Sequence, residues 1–173
     1  MANSSIIRKA KNKIIKEFIK DQDIIAAINS STVNPNKPEE LVDTHIFTYN
    51  QNPHTLKLVG TFITIQVHIP ENYYSDYHGN SAIHVKPIIE IWIISHEKHM
   101  KVDNVPKVTQ NRNDYLSELI DNKINGRHGF GIGETKLKSN TEGAFQQDYL
   151  FRKLIFECLD FNDSLCKDED DYE

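Results

Sequence analysis

Three observations predict an α+β (α/β) chain with a small, mostly antiparallel sheet flanked by two or three helices. Apolar residues recur at helical spacing through residues 7–19. They alternate with period two through residues 56–69. A second alternating run, "PIIEIWIIS", is followed by a capped amphipathic segment, "NRNDYLSELIDNKING". At 173 residues the chain can fold around one real core, since a domain of this size buries roughly 70% of the surface its unfolded form exposes. Residues 1–162 read as a single domain and residues 163–173 as an acidic tail.

The first helix has Ile7, Ala10, Ile14 and Phe18 on one side, with Ile15 and Ile19 one position round, in a segment free of Gly and Pro. Its other side is basic: Arg8, Lys9, Lys11, Lys13, Lys16 and Lys20 are set against a single acid, Glu17. Asp21 or Asp23 can cap a second short helix over "IIAAINSS", and the prolines of "TVNPNKPEE" end helical structure in a loop. In "TLKLVGTFITIQVHIP" the spacing predicts one long strand, with Val59, Thr61, Ile63, Ile65, Val67 and Ile69 on one face. Leu56, Leu58, Phe62, Thr64, Gln66 and His68 lie on the other. After the polar stretch "ENYYSDYHGNS", the next strand sets Ile89, Ile91 and Ile93 against Ile88, Glu90, Trp92, Ile94 and His96. Antiparallel pairing of the two is the economical topology.

Asn111 or Asn113 supplies the cap of a further helix striped by Leu116, Leu119, Ile120 and Ile124, and Gly126 stands at its C′ position. "TKLKS", a short polar hairpin around "NTEGAFQQD", and the strand "YLFRKLIFECLDF" follow. This last segment is apolar on both faces, which suits a central strand or one covered by another subunit.

Charge and composition exclude several classes. No apolar run is long enough to span a membrane, and residues 1–20 contain no secretory core, so synthesis in a reducing, intracellular setting is expected. Cys158 and Cys166 form neither a zinc spacing nor a disulfide framework. The net charge of −5 hides a polarity. The amino-terminal helix is basic, whereas residues 163–173 carry six acids against Lys167. A basic helix without interleaved aromatics reads first as a solvated face and second as a nucleic-acid-binding adaptor.

"NGRHGFGIGETKL" concentrates Gly126, Gly129, Gly131 and Gly133, yet it follows a helix and precedes a strand. Phosphate loops run the other way, from a strand into a helix N-terminus. The glycines therefore read as a connection, and no cofactor is expected. His96 and His99 in "SHEKH" make a poor metal pair with no third ligand and are expected at a solvated strand end. "GETKL" resembles the E-x-K element of metal-dependent nucleases, with Glu134 as acid and Lys136 beside the attacking water. The aspartate such a site needs is missing from the preceding strand, because Asp114 and Asp121 belong to a helix. Glu90 and Glu157, inside apolar strands, are expected to face a basic partner or the sheet edge.

"PIIEIWIISHEKHM", "NRNDYLSELIDNKING", "GFGIGETKLKS" and "YLFRKLIFECLDFN", in that order, resemble the tail-terminator and neck proteins of long-tailed bacteriophages over roughly residues 5–162. The resemblance implies a small sheet flanked by helices. It also implies a non-enzymatic virion protein made in the host bacterial cytoplasm, which caps the tail tube and joins tail to head as a ring, a hexamer. Its partners would be copies of itself, the tail tube, neck or head-completion proteins and the sheath as a further candidate. DNA would pass the lumen without sequence-specific binding. Interface candidates on this reading are Arg8, Lys9, Lys13 and Lys16 of the first helix, and Arg127, His128, Gly129 and Gly131 of the glycine-rich connection.

Overall fold

The computed structural model describes residues 4–56, 59–68, 87–128, 130 and 134–158. Gly129, Gly131 and Gly133, the stretch of residues 70–82 and the acidic tail of residues 163–173 lie outside the described residues.

Helix α1 spans Ser4–Lys20. Ala10, Ile14 and Phe18 are fully buried, and the 3.6-residue period turns Arg8, Lys9, Lys13 and Lys16 outward. The helix stops at Asp21, whose carboxylate accepts the amides of Asp23 at 2.9 Å and Ile24 at 3.2 Å and so begins α2, Gln22–Ile28. Of the two acids that could cap α2, the first does so. The same carboxylate meets Lys123 Nζ at 2.8 Å, tying the corner between α1 and α2 to the later helix α4, Arg112–Ile124. Asn111 caps α4 through the Asp114 amide, and Gly126 follows it at φ 69°, a left-handed conformation that favours glycine.

The sheet has five strands: β1 Ile46–Phe47, β2 Thr61–His68, β3 Ile88–His96, β4 Thr135–Ala144 and β5 Tyr149–Cys158. Their order is β1-β2-β3-β5-β4, antiparallel throughout except for the two-residue β1 beside β2. The fold is therefore the α+β class that the sequence predicts. β5 lies between β3 and β4, which explains why it is apolar on both faces.

Each long strand sends alternate residues to opposite sides. Ile63, Ile65, Ile89, Ile91, Ile93, Leu154 and Phe156 meet α1, α2 and α4 in the main core. Phe47, Phe62, Ile94 and Tyr149 form a second cluster, with Trp92, Phe145 and Phe151 packed on it. Burying one such aliphatic or aromatic side chain contributes roughly 1.5–3 kcal/mol, so the larger cluster carries most of the stability.

Three expectations need correction. The predicted strand over residues 56–69 begins only at Thr61. Pro53–Leu56 is a helical turn, α3, because Pro53 suits a first helical position and the Asn52 carbonyl accepts both the amide and the hydroxyl of Thr55. The hairpin expected around "NTEGAFQQD" is present but longer than a short one: "TKLKS" and the following residues through Ala144 form one ten-residue strand, β4, which turns over residues 145–148 into the antiparallel β5. A register shift between Leu137 and Ser139 leaves Lys138 as the extra residue, and its ammonium pairs with Glu157 at 2.8 Å. A bulge and projecting lysines blunt this outer strand against unwanted pairing. Within "TVNPNKPEE" and the following leucine, Pro38–Leu41 forms one 3-10 turn that buries Leu41.

Candidate functional site

The outward side of α1 is a segregated basic surface. Arg8, Lys9 and Lys16 are exposed, and no ion pair among the described residues engages them. Lys11, nearer the core, donates to the Thr48 carbonyl at 2.6 Å. Lys13 is exposed and lies over the Phe130 ring, 5.4 Å from its centroid. Because Phe130 is buried in the main core, this contact sets the α4–β4 connection against α1. Arg127 and His128, in that connection, are both exposed. The backbone of Arg127 is nonetheless fixed: its amide donates to the Ile124 carbonyl, and its own carbonyl accepts from the Thr135 amide at 3.1 Å. The structure thus brings the two groups of interface candidates to neighbouring elements, while Gly129 and Gly131 fall outside the described residues.

Sequence reasoning missed the polar centre of the fold. Arg112 is 1% exposed and spends its guanidinium on three backbone carbonyls. Nε donates to His99 at 2.6 Å, Nη2 to Lys101 at 2.6 Å and Nη1 to Ala27. Burial lowers its pKa and the charge of Asp103 opposes that, but a guanidinium stays protonated at any ordinary pH. The one signal in the sequence was the "RND" opening of α4, which does not reveal what the arginine binds.

His99 is not at a solvated strand end. It closes a 3-10 turn, Glu97–His99, capped by the His96 side chain, and is half-buried. Its Nδ1 meets Thr61 Oγ1 at 2.9 Å, and Thr61 Oγ1 also meets Ser95 Oγ at 2.8 Å. Desolvation, together with the positive field of Arg112, lowers its pKa to about 4. At neutral pH it is an uncharged connector.

His45, 1% exposed and stacked on Phe62, extends the network. Its Nδ1 lies 2.8 Å from the Thr61 carbonyl, which can only accept, so Nδ1 carries the proton and Nε2 accepts the Ser30 hydroxyl at 2.8 Å. Burial lowers its pKa as well. Ser30 borders a cavity of about 190 Å³ shared with Gln22, Asn29, Leu41 and Asn104. A serine beside a histidine suggests a nucleophile. Here, however, both lone pairs of the Ser30 oxygen already accept the amides of Thr32 and Val33. The arrangement is a clamp on the loop after α2.

Two further carboxylates tie elements of the fold together. Glu90 accepts from Trp92 Nε1 and pairs with Lys153 Nζ at 3.1 Å, and that ammonium lies 4.7 Å from the Trp92 ring centroid. Asp114 binds Arg152, joining α4 to β5. Glu134 is half-buried at the start of β4, and Lys136 is exposed opposite Glu157. Among the described residues no three His, Cys, Asp or Glu side chains are grouped to hold a metal ion. No helix among them is long and apolar enough to cross a membrane.

Comparison with curated proteins gives no match. The YomW family model matches residues 21–158, from the capping aspartate of α2 to the last residue of β5, so that α1 and residues 159–173 flank the matched span. The family takes its name from a gene cluster of an SPbeta-like Bacillus phage, which points to a phage-encoded protein. With most of its length matched, including all five strands of the sheet and the helix that carries Arg112, the chain belongs to the YomW family.

Proposed function

We propose that the chain is a structural protein of the phage neck, a ring-forming subunit that caps the tail tube and joins tail to head. The observation that carries this reading is the outward basic side of α1, with Arg8, Lys9 and Lys16 in no ion pair among the described residues, beside the connection that presents Arg127 and His128. A helix whose apolar side is fully used in its own core and whose charged side is left over suits a contact with an acidic neighbour. In a head-to-tail ring that neighbour is another copy, presenting a different surface of the same chain. The likeness of the strand and helix order to tail-terminator and neck proteins, and the phage origin of the family name, favour the same assignment.

A nonsense mutation in the gene tests the proposal. Cells infected with the mutant should accumulate filled heads and unjoined tails, and adding purified protein should restore joining. Normal joined particles without the protein would overturn it.

A further inference from the structure

We infer that Tyr49 of one copy inserts into the cavity beside α2 of the next, so that the rim of that cavity is the acidic counter-surface for α1. The inference rests on the head-to-tail ring proposed above and names its contact. Two large apolar side chains are exposed among the described residues, Tyr49 at 50% and Val59 at 51%. Tyr49 is the aromatic one, and its ring stands edge-on to Phe47 with the centroids 5.5 Å apart. A ring already held in this way loses little conformational freedom when a partner buries it, which is why tyrosine recurs as an anchor of interfaces.

The socket matches it in size and chemistry. The cavity of about 190 Å³ has Ile25, Ala26, Val33 and Leu41 among its walls, and it opens to solvent where Gln22, Pro35 and Asn104 are exposed. An apolar cavity of about 150 Å³ accommodates benzene, so this one can take a phenol ring. A buried phenol also needs a partner for its hydroxyl. Asn104 offers one: its Nδ2 already donates to the Ala26 carbonyl at 2.6 Å, which leaves Oδ1 to accept at the rim.

Two relationships make the contact run between copies. Phe47 belongs to the cluster on the sheet face away from the helices, whereas Ile25 and Leu41 belong to the main core beneath them. Tyr49 and the cavity therefore lie on opposite sides of the sheet, and a chain that keeps its Tyr49–Phe47 contact cannot fill its own cavity. Charge then sets the pairing. Lys11 of α1 donates to the carbonyl of Thr48, so Tyr49 stands beside the basic helix. Asp23, Glu39 and Asp103 flank the lining residues Gln22, Leu41 and Asn104; all three are exposed, and none is in an ion pair among the described residues. Glu40 is set apart by its pairing with Lys37. A projecting side chain on one surface and a socket on another make a heterologous contact, which closes as a ring.

Mixing variants tests the contact. Y49A removes the inserted ring and A26F fills the cavity, with the folding of each checked by thermal unfolding. In sedimentation the parent should form closed rings, and each variant alone should associate at least about tenfold more weakly. Y49F should lie between them, since it keeps the ring and loses one hydrogen bond. An equimolar mixture of Y49A and A26F should give pairs and nothing larger, because one intact side chain meets one intact socket. Independently of A26F, light-activated crosslinking from Tyr49→p-benzoylphenylalanine, in a mixture of ¹⁴N- and ¹⁵N-labelled protein, should yield mixed-isotope products at peptides containing Ala26 or Val33. Products of one isotope only, or products confined to other peptides, would overturn the inference. Parent rings that survive both Y49A and A26F would overturn this contact and leave the ring standing. A parent that stays monomeric would also overturn the contact, while joining of heads to tails in the nonsense-mutant assay still decides the neck role.

Discussion

Arg112 Nε donates to the carbonyl oxygen of His99 at 2.6 Å, and the His99 ring in turn meets the Thr61 hydroxyl at the start of β2. One arginine on α4 thus holds the turn after β3, the loop behind it and the end of α2 through three backbone carbonyls. The family match contains all of these groups, so the lock belongs to the shared part of the chain and not to its charged ends.

Replacing Arg112 by Met should destabilise the protein by about 2–4 kcal/mol, because three buried carbonyls lose their donors at once. Lys should recover only part of the loss, since a single ammonium cannot copy a planar fork. Urea unfolding of the three proteins measures both effects. Midpoints that coincide would show that water or rearrangement satisfies those carbonyls equally well.

The histidines give stability a pH dependence of known sign. His99 is lowered to about 4 in the fold, against about 6.5 in an unfolded chain. Between these values the unfolded state binds the extra proton, so stability is complete above about pH 6.5 and declines as pH falls toward 4. His45, also lowered, acts in the same direction. The H99Q variant should show a shallower decline between pH 7 and pH 5 in thermal unfolding. An unchanged slope would place the titration elsewhere.

The tie between α4 and β5 should depend on Asp114 much more than on Glu142. Both carboxylates meet Arg152, but the Glu142 side chain is 72% exposed and Asp114 is half-buried. D114A should cost about 1–2 kcal/mol, whereas E142A should change stability by less than about 0.5 kcal/mol. Equal losses in denaturant titrations would contradict this division.

How much of this was legible in the sequence depended on whether the partners of a residue are local. The alternation of Ile89, Ile91 and Ile93 survived because strand periodicity is a property of the segment itself, and Asn111 and Gly126 mark their helix ends by local chemistry. The outward set Arg8, Lys9, Lys13 and Lys16 followed from the helical wheel for the same reason. The role of Arg112 was invisible because its partners are main-chain oxygens at positions 27, 99 and 101, and any residue type can supply those. His99 was misplaced because Thr61 and Asn29, which shield it, are distant in sequence. The start of β2 was misread because Leu56 and Leu58 continue the alternation, while the turn at Pro53 outweighs it.

The glycine-rich connection gives a narrower test of the proposed interface. R127A should leave thermal unfolding unchanged, since the side chain is exposed and the backbone contacts of Arg127 remain, yet reduce joining of tails to heads. Normal joining by the R127A/H128A protein would remove this segment from the interface.

Charge reversal on α1 asks the same of the helix. R8E/K9E/K16E should weaken assembly most at low ionic strength, because salt already screens exposed pairs. Sedimentation of mutant and parent proteins across a salt series reads the difference, and equal behaviour at every salt concentration would return this surface to simple solvation.

The most direct measurement is the location of the protein in purified particles of a phage that encodes it, by cryo-electron microscopy with antibody labelling. The expected result is a closed ring, six copies round, at the junction of head and tail, with α1 of each copy against its neighbour. Absence from purified particles, or density only at the distal end of the tail, would contradict it.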